Sequence, residues 1–78
     1  MEGMDELTRR VLALFIEMGK ESLDLHTLFE AGGNDPPSRQ RVLDVVTQLV
    51  ETDHLESRGG DFYSITDKGR RARRDRTH

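Results

Sequence analysis

At 78 residues the chain has room for one domain and a thin core, and its 33% hydrophobic and 35% charged residues are polar for a globular protein. Without cysteine it can hold neither a disulfide framework nor a thiolate metal site, and no apolar run approaches the length of a membrane span. The net charge of −3 is unevenly spread: residues 1–35 carry eight acids against three bases, while residues 68–76 carry six bases against Asp75.

The opening MEGMDELTRR is acidic and lacks the basic-then-apolar pattern of a signal peptide, which predicts a soluble, cytoplasmic chain. Leu7, Val11, Leu14, Phe15 and Met18 recur at helical spacing, with Met4 on the same face, and predict a first helix over 5–18. Asp5 or a neighbour caps its start and Gly19 ends it. Leu12 and Ile16 fall nearly opposite that stripe, one turn apart. They suit either a second buried side of the helix or a two-fold contact between helices of two subunits, and periodicity alone separates neither.

Glu21-Ser22-Leu23 reads as a minimal strand. Asp24 then caps a second helix carrying Leu25, Leu28 and Phe29, and the run from Gly32 to Pro37 stops it. Ser38 is the expected cap of a third helix extending to about Thr52. Val42, Val45, Val46, Leu49 and Val50 form its apolar stripe, and Gln40, Arg41, Asp44, Thr47, Gln48 and Glu51 lie opposite.

After Thr52 the period changes. Leu55 to Arg58 alternate, Gly59-Gly60-Asp61 makes a turn, and Phe62 to Ile65 continue extended. This predicts a β-hairpin with Leu55, Tyr63 and Ile65 inward and Phe62 outward. Thr66 caps a last helical turn through Gly69; the arginine-rich run after it has one apolar residue and is expected to be a solvated tail. Leu14, Phe15, Leu28, Val46, Leu49, Leu55 and Ile65 are the expected core.

His26 and His54 stand alone in sequence, with no carboxylate or histidine at metal-ligand spacing. No phosphate-binding glycine loop or nucleophile elbow is present, so the reading is no enzyme, no cofactor and no metal.

Val46, Leu49 and Val50, then Asp53 to Gly60, then Tyr63-Ser64-Ile65-Thr66-Asp67-Lys68-Gly69 resemble the recognition-helix end and wing of MarR- and PadR-type regulators, whose wing closes on a Y-x-L-T-x-K-G segment. The resemblance spans about residues 7–70. It implies an α+β winged helix-turn-helix fold, three helices plus a small antiparallel β-hairpin wing, over residues 1–69, with 70–78 as a basic, flexible tail. It further implies a DNA-binding transcription regulator whose third helix enters the major groove of double-stranded DNA. Ser38, Arg39, Gln40, Arg41, Asp44 and Gln48 would then face the groove, with arginine suited to guanine and glutamine to adenine. Arg58 on the wing, and Lys68, Arg70, Arg71, Arg73 and Arg74 after it, would track the phosphates.

The chain departs from the family in three places. His54 stands where a glycine is usual, so Asp53 or His54 must adopt the left-handed conformation. The loop between the second and third helices is longer than usual and carries two prolines. The dimerising helix after the wing is missing, which leaves Leu12 and Ile16 as the candidate homodimer interface. Asp44 and Glu51 repel phosphate and suit a simple solvated face; the alternative function is a winged helix that docks a protein partner without binding DNA, its acidic first half meeting a basic partner.

Overall fold

The computed structural model describes residues 5–75, with side chains through Ala72. The architecture is α+β, with four helices and one three-stranded antiparallel sheet among the described residues. Helix α1 (Glu6–Glu17) starts at Asp5, whose side chain accepts from the Thr8 N–H at 2.9 Å. It ends at Met18 with Gly19 at a φ of 64°, where the Gly19 and Lys20 N–H groups donate to the Ile16 and Phe15 carbonyls. That pair of bonds is a Schellman closure, and it needs a left-handed residue at the position glycine occupies.

Strand β1 (Ser22–Asp24) leads into the single turn of α2 (Leu25–Leu28), which tightens into a 3₁₀ turn at Phe29–Ala31. Helix α3 (Pro36–Glu51) begins two residues before the expected cap. Asp35 is the N-cap, accepting from the Ser38 N–H at 3.3 Å, and the two prolines occupy the first positions of the helix. Proline is suited there because its missing N–H would have no intrahelical partner and its φ is already helical. The prolines therefore open α3, and Ser38 is a buried residue of its first turn.

The end of α3 repeats the closure of α1 with a different residue. Asp53 has a φ of 68°, and the Asp53 and His54 N–H groups donate to the Val50 and Leu49 carbonyls. Of the two residues available for the left-handed position, Asp53 takes it. The chain then forms β2 (Leu55–Ser57) and β3 (Phe62–Ile65), and the sheet order is β1-β3-β2. Ser22 faces Ser64 and Leu55 faces Ile65 across β3, and the two serine hydroxyls bond at 2.6 Å. The Leu25 N–H donates to the Asp61 carbonyl, tying the hairpin tip to the start of α2.

Helix α4 (Asp67–Asp75) runs through residues 70–75, which were expected as tail. It packs on α1 and β3, with Ala72 against the core. Its start is stapled to the end of α3 by the Thr66 hydroxyl, which donates to the Asp53 carbonyl at 2.6 Å, and by Lys68, whose Nζ donates to the Thr52 carbonyl at 2.9 Å. Gly69 allows this approach, because a Cβ there would overlap the His54 carbonyl oxygen. One alanine cannot anchor a helix in the sequence pattern alone; the staple and α1 supply the packing.

One core joins Val11, Leu12 and Phe15 of α1 to Leu28, to Val42, Val46 and Leu49 of α3, and to Leu23, Leu55 and Ile65 of the sheet. Two expectations are corrected here. Leu14 is only half-buried, and Leu12 is fully buried, so Leu12 is core and cannot sit at a subunit interface. The reason is that α1 is covered by α3, the 3₁₀ turn and α4, so its buried arc is wider than one stripe and includes the side opposite Leu14. Met4 lies outside the described residues.

Candidate nucleic-acid interface

Val42, Val46 and Leu49 hold the inner side of α3 in the core, which turns Arg39, Gln40, Arg41, Asp44, Thr47, Gln48 and Glu51 outward. All seven are exposed. The 3.6-residue period makes this outcome necessary once the inner stripe is anchored. Ser38 is the exception among the expected α3 contacts. It is only 7% exposed, and its Oγ accepts from Arg41 Nη2 at 3.4 Å, so it positions Arg41 and cannot touch a groove itself.

The outward residues are tied to one another. Gln40 Nε2 donates to Asp44 Oδ1 at 3.0 Å, one turn along the helix. The Arg39 guanidinium lies 5.4 Å from the Phe29 ring centroid, a cation–π seat that holds its aliphatic stem across the loop. Two arginines in the first turns therefore face two acids, Asp44 and Glu51, farther along. Hydrogen bonding to Ser38 holds the Asp35 carboxyl below the usual carboxylate range, so an anionic cap also sits at the helix start.

The remaining candidate cations lie toward the two ends of β3. Arg58 is exposed near the tip, where Nη1 lies 3.5 Å from Glu56 Oε1. Lys68 and Arg70 belong to α4, which starts at the opposite end of β3. Four residues of strand, at about 3.3 Å each, separate the two groups. Arg70 is half-buried and lines a cleft with Phe15 and Ile16, while Arg71 is exposed. Arg73 and Arg74 have helical backbone, and their side chains lie outside the described residues. The candidate DNA-contacting bases thus form three groups: Arg39 with Arg41, Arg58, and those of α4.

His54 sits at the junction of α3, β2 and α4, its Nδ1 2.7 Å from the Thr52 hydroxyl. Burial, with help from the nearby Lys68 charge and against a smaller opposing pull from Asp53, lowers its pKa. It is a structural histidine of the staple. Among the described residues no cluster of three or more His, Asp or Glu is placed to hold a metal, and no helix is long and apolar enough to cross a membrane.

The sequence reading missed the Arg39–Phe29 contact and the cap at Asp35. An aspartate directly before two prolines was the available signal for the cap. The cation–π pair had none, because Phe29 and Arg39 meet only through the fold of the long loop. No protein-family model matches this chain, and no curated protein or solved structure matches it either. The functional reading therefore rests on the geometry.

Proposed function

We propose that this chain is a winged helix-turn-helix domain that binds duplex DNA, with α3 as the reading helix, and that it acts as a cytoplasmic transcription regulator or auxiliary factor. The observation that carries the reading is the exposed outer side of α3. Its first turns offer Arg39, Gln40 and Arg41, while its inner side is immobilised in the core. A rigid helix with bidentate donors near its N-terminus has the chemistry to read base edges in a major groove. The order β1, α2, α3 and hairpin, with the hairpin tip tied to the start of α2, supports the same reading.

On this reading Arg41 donates to guanine with its guanidinium oriented through Ser38. Gln40 reads adenine after releasing Asp44, which is then free to accept from a cytosine amino group. Arg58 reaches phosphate beside the groove. Arg71 is exposed on α4, which follows the end of β3 opposite the hairpin tip, so it adds to the general field more than to the docked contact.

The test is fluorescence anisotropy of labelled duplexes, first random sequence at low salt and then sequences enriched by selection. Arg41→Ala is expected to weaken the selected site by roughly 1–3 kcal/mol and to change random-duplex binding little. A second reading, a docking surface for a protein partner, is favoured by one observation: the two arginines of the α3 face are balanced by Asp44 and Glu51. No detectable binding to any duplex at low salt would transfer the assignment to that reading.

A further inference from the structure

Phe62 is 53% exposed at the start of β3, the central strand of the sheet, and the strand register decides what stands beside it. The Ile65 N–H donates to the Glu21 carbonyl and the Leu25 N–H to the Asp61 carbonyl, so positions 21, 23 and 25 are the ones that bond across to 65, 63 and 61. Ser22 and Asp24 alternate with them and face Ser64 and Phe62 without exchanging backbone bonds, the pairing that brings opposed side chains closest. The Ser22 and Ser64 hydroxyls meet at 2.6 Å, and Asp24 and Phe62 repeat the pairing two residues on, on the same side of the sheet. Both line a cleft of about 360 Å³, with Met18 as a further apolar wall. Asp24 Oδ1 accepts from the Thr27 hydroxyl at 2.5 Å, which holds the carboxyl below the usual carboxylate range and anionic at neutral pH. A carboxylate has about four acceptor positions, so this bond leaves Asp24 able to accept others.

We infer that this cleft takes an arginine side chain from an extended basic segment of a protein partner. A carboxylate beside an exposed aromatic ring suits a guanidinium in two ways at once: its flat side lies over the ring, and its N–H edge donates to the carboxylate. The strand edge argues for a peptide over a free amine. Strand β1 has β3 on one side only, and the N–H and carbonyl of Ser22 point away from β3. They offer an extended chain one pair of ladder bonds directly beside the cleft. Lys20 also lines the cleft, and its charge opposes a cation there. It is exposed on a long flexible stem that can turn into water, so it weakens the site without closing it. No residue of α3 lines the cleft, so the site is separate from the one proposed to meet DNA.

The probe is a short fluorescein-labelled peptide of alternating arginine and threonine, titrated with the full chain and read by anisotropy. Its control carries citrulline, which has the same shape without the charge, at each arginine. The arginine peptide is expected to bind and the citrulline peptide not, with amide shifts in NMR centred on Ser22, Asp24 and Phe62. Asp24→Asn keeps an oxygen for Thr27, and it and Phe62→Leu are each expected to weaken binding by about threefold to tenfold. Lys20→Met is expected to tighten it by about twofold to fivefold. Circular dichroism confirms that each variant is folded; should Asp24→Asn fail to fold, Phe62→Leu at its exposed position decides. Absence of binding at millimolar peptide would overturn the inference. So would equal binding of the citrulline peptide, affinity indifferent to Phe62→Leu, or amide shifts centred on Asp44 and Glu51 of α3 instead of β1.

Discussion

Asp53 is held at a φ of 68° because two N–H groups and the last carbonyls of α3 close there, and because Thr66 bonds its carbonyl from the other side. A non-glycine residue pays for this conformation through its Cβ, about 1 kcal/mol and less for aspartate than for most residues. Every bond of the closure that involves Asp53 uses its backbone. Asp53→Gly is therefore expected to stabilise the fold by about 0.5–1 kcal/mol, seen as a higher urea midpoint with an unchanged slope. A lower midpoint would mean that the Asp53 side chain contributes more than its strain costs. The same residue marks where local sequence was informative, since aspartate and histidine were the only candidates at a turn that requires a left-handed residue.

At the scale of the element, α1 shows why a helical wheel needs a partner before it can be read. Leu12 and Ile16 lie one turn apart on the same side, yet Leu12 is fully buried and Ile16 is 44% exposed. Leu12 lies beneath the covering elements, whereas Ile16 borders an open cleft that Arg70 of α4 also lines. Leu12→Ala is expected to cost about 2–5 kcal/mol in chemical denaturation, and Ile16→Ala to stay within about 0.5 kcal/mol. Equal losses at the two positions would contradict the wide buried arc of α1. Helix α4 carries the same lesson from the opposite direction, for its arginine-rich sequence has almost no apolar stripe and its helix depends on the staple at Thr66, Lys68 and Gly69.

The molecule as a whole joins several titrating groups to its stability. Side-chain hydrogen bonding to Thr8, Thr27 and Ser38 lowers the pKa of Asp5, Asp24 and Asp35 respectively. These carboxylates hold their charge more readily in the folded chain. Their contribution is complete above the ordinary carboxylate value near pH 4, and is lost as pH falls through the lower folded value. His54 acts in the same direction from a higher pH. Burial and Lys68 keep its ring neutral in the fold, so the unfolded chain binds the proton first and stability declines below the unfolded histidine value of about 6.5. Thermal unfolding followed against pH should show a melting temperature that is level above neutrality and falls in two stages on acidification. His54→Gln should remove the upper stage. If that variant keeps the upper stage, the protonation responsible belongs to another group.

Much of the fold follows from local chemistry that the chain carries in order. Helical spacing places α1 and α3, paired glycines place the hairpin turn, alternation puts Leu55 and Ile65 inward, and the valine stripe of α3 leaves its polar residues outside. These rules act over a few residues, so they survive without knowledge of neighbours. Contacts across the chain decided the rest. Leu12 went to the core because three elements surround α1, residues 70–75 became helix because α1 and the end of α3 hold them, and Phe29 came under Arg39 because the long loop returns there. The proposed site divides the same way. The exposure of Arg39, Gln40 and Arg41 was legible from the period of α3, whereas the separation of Arg58 from α4 depended on the direction of β3. Charge and periodicity state which side chains must stay in water; only packing states which of them end up side by side.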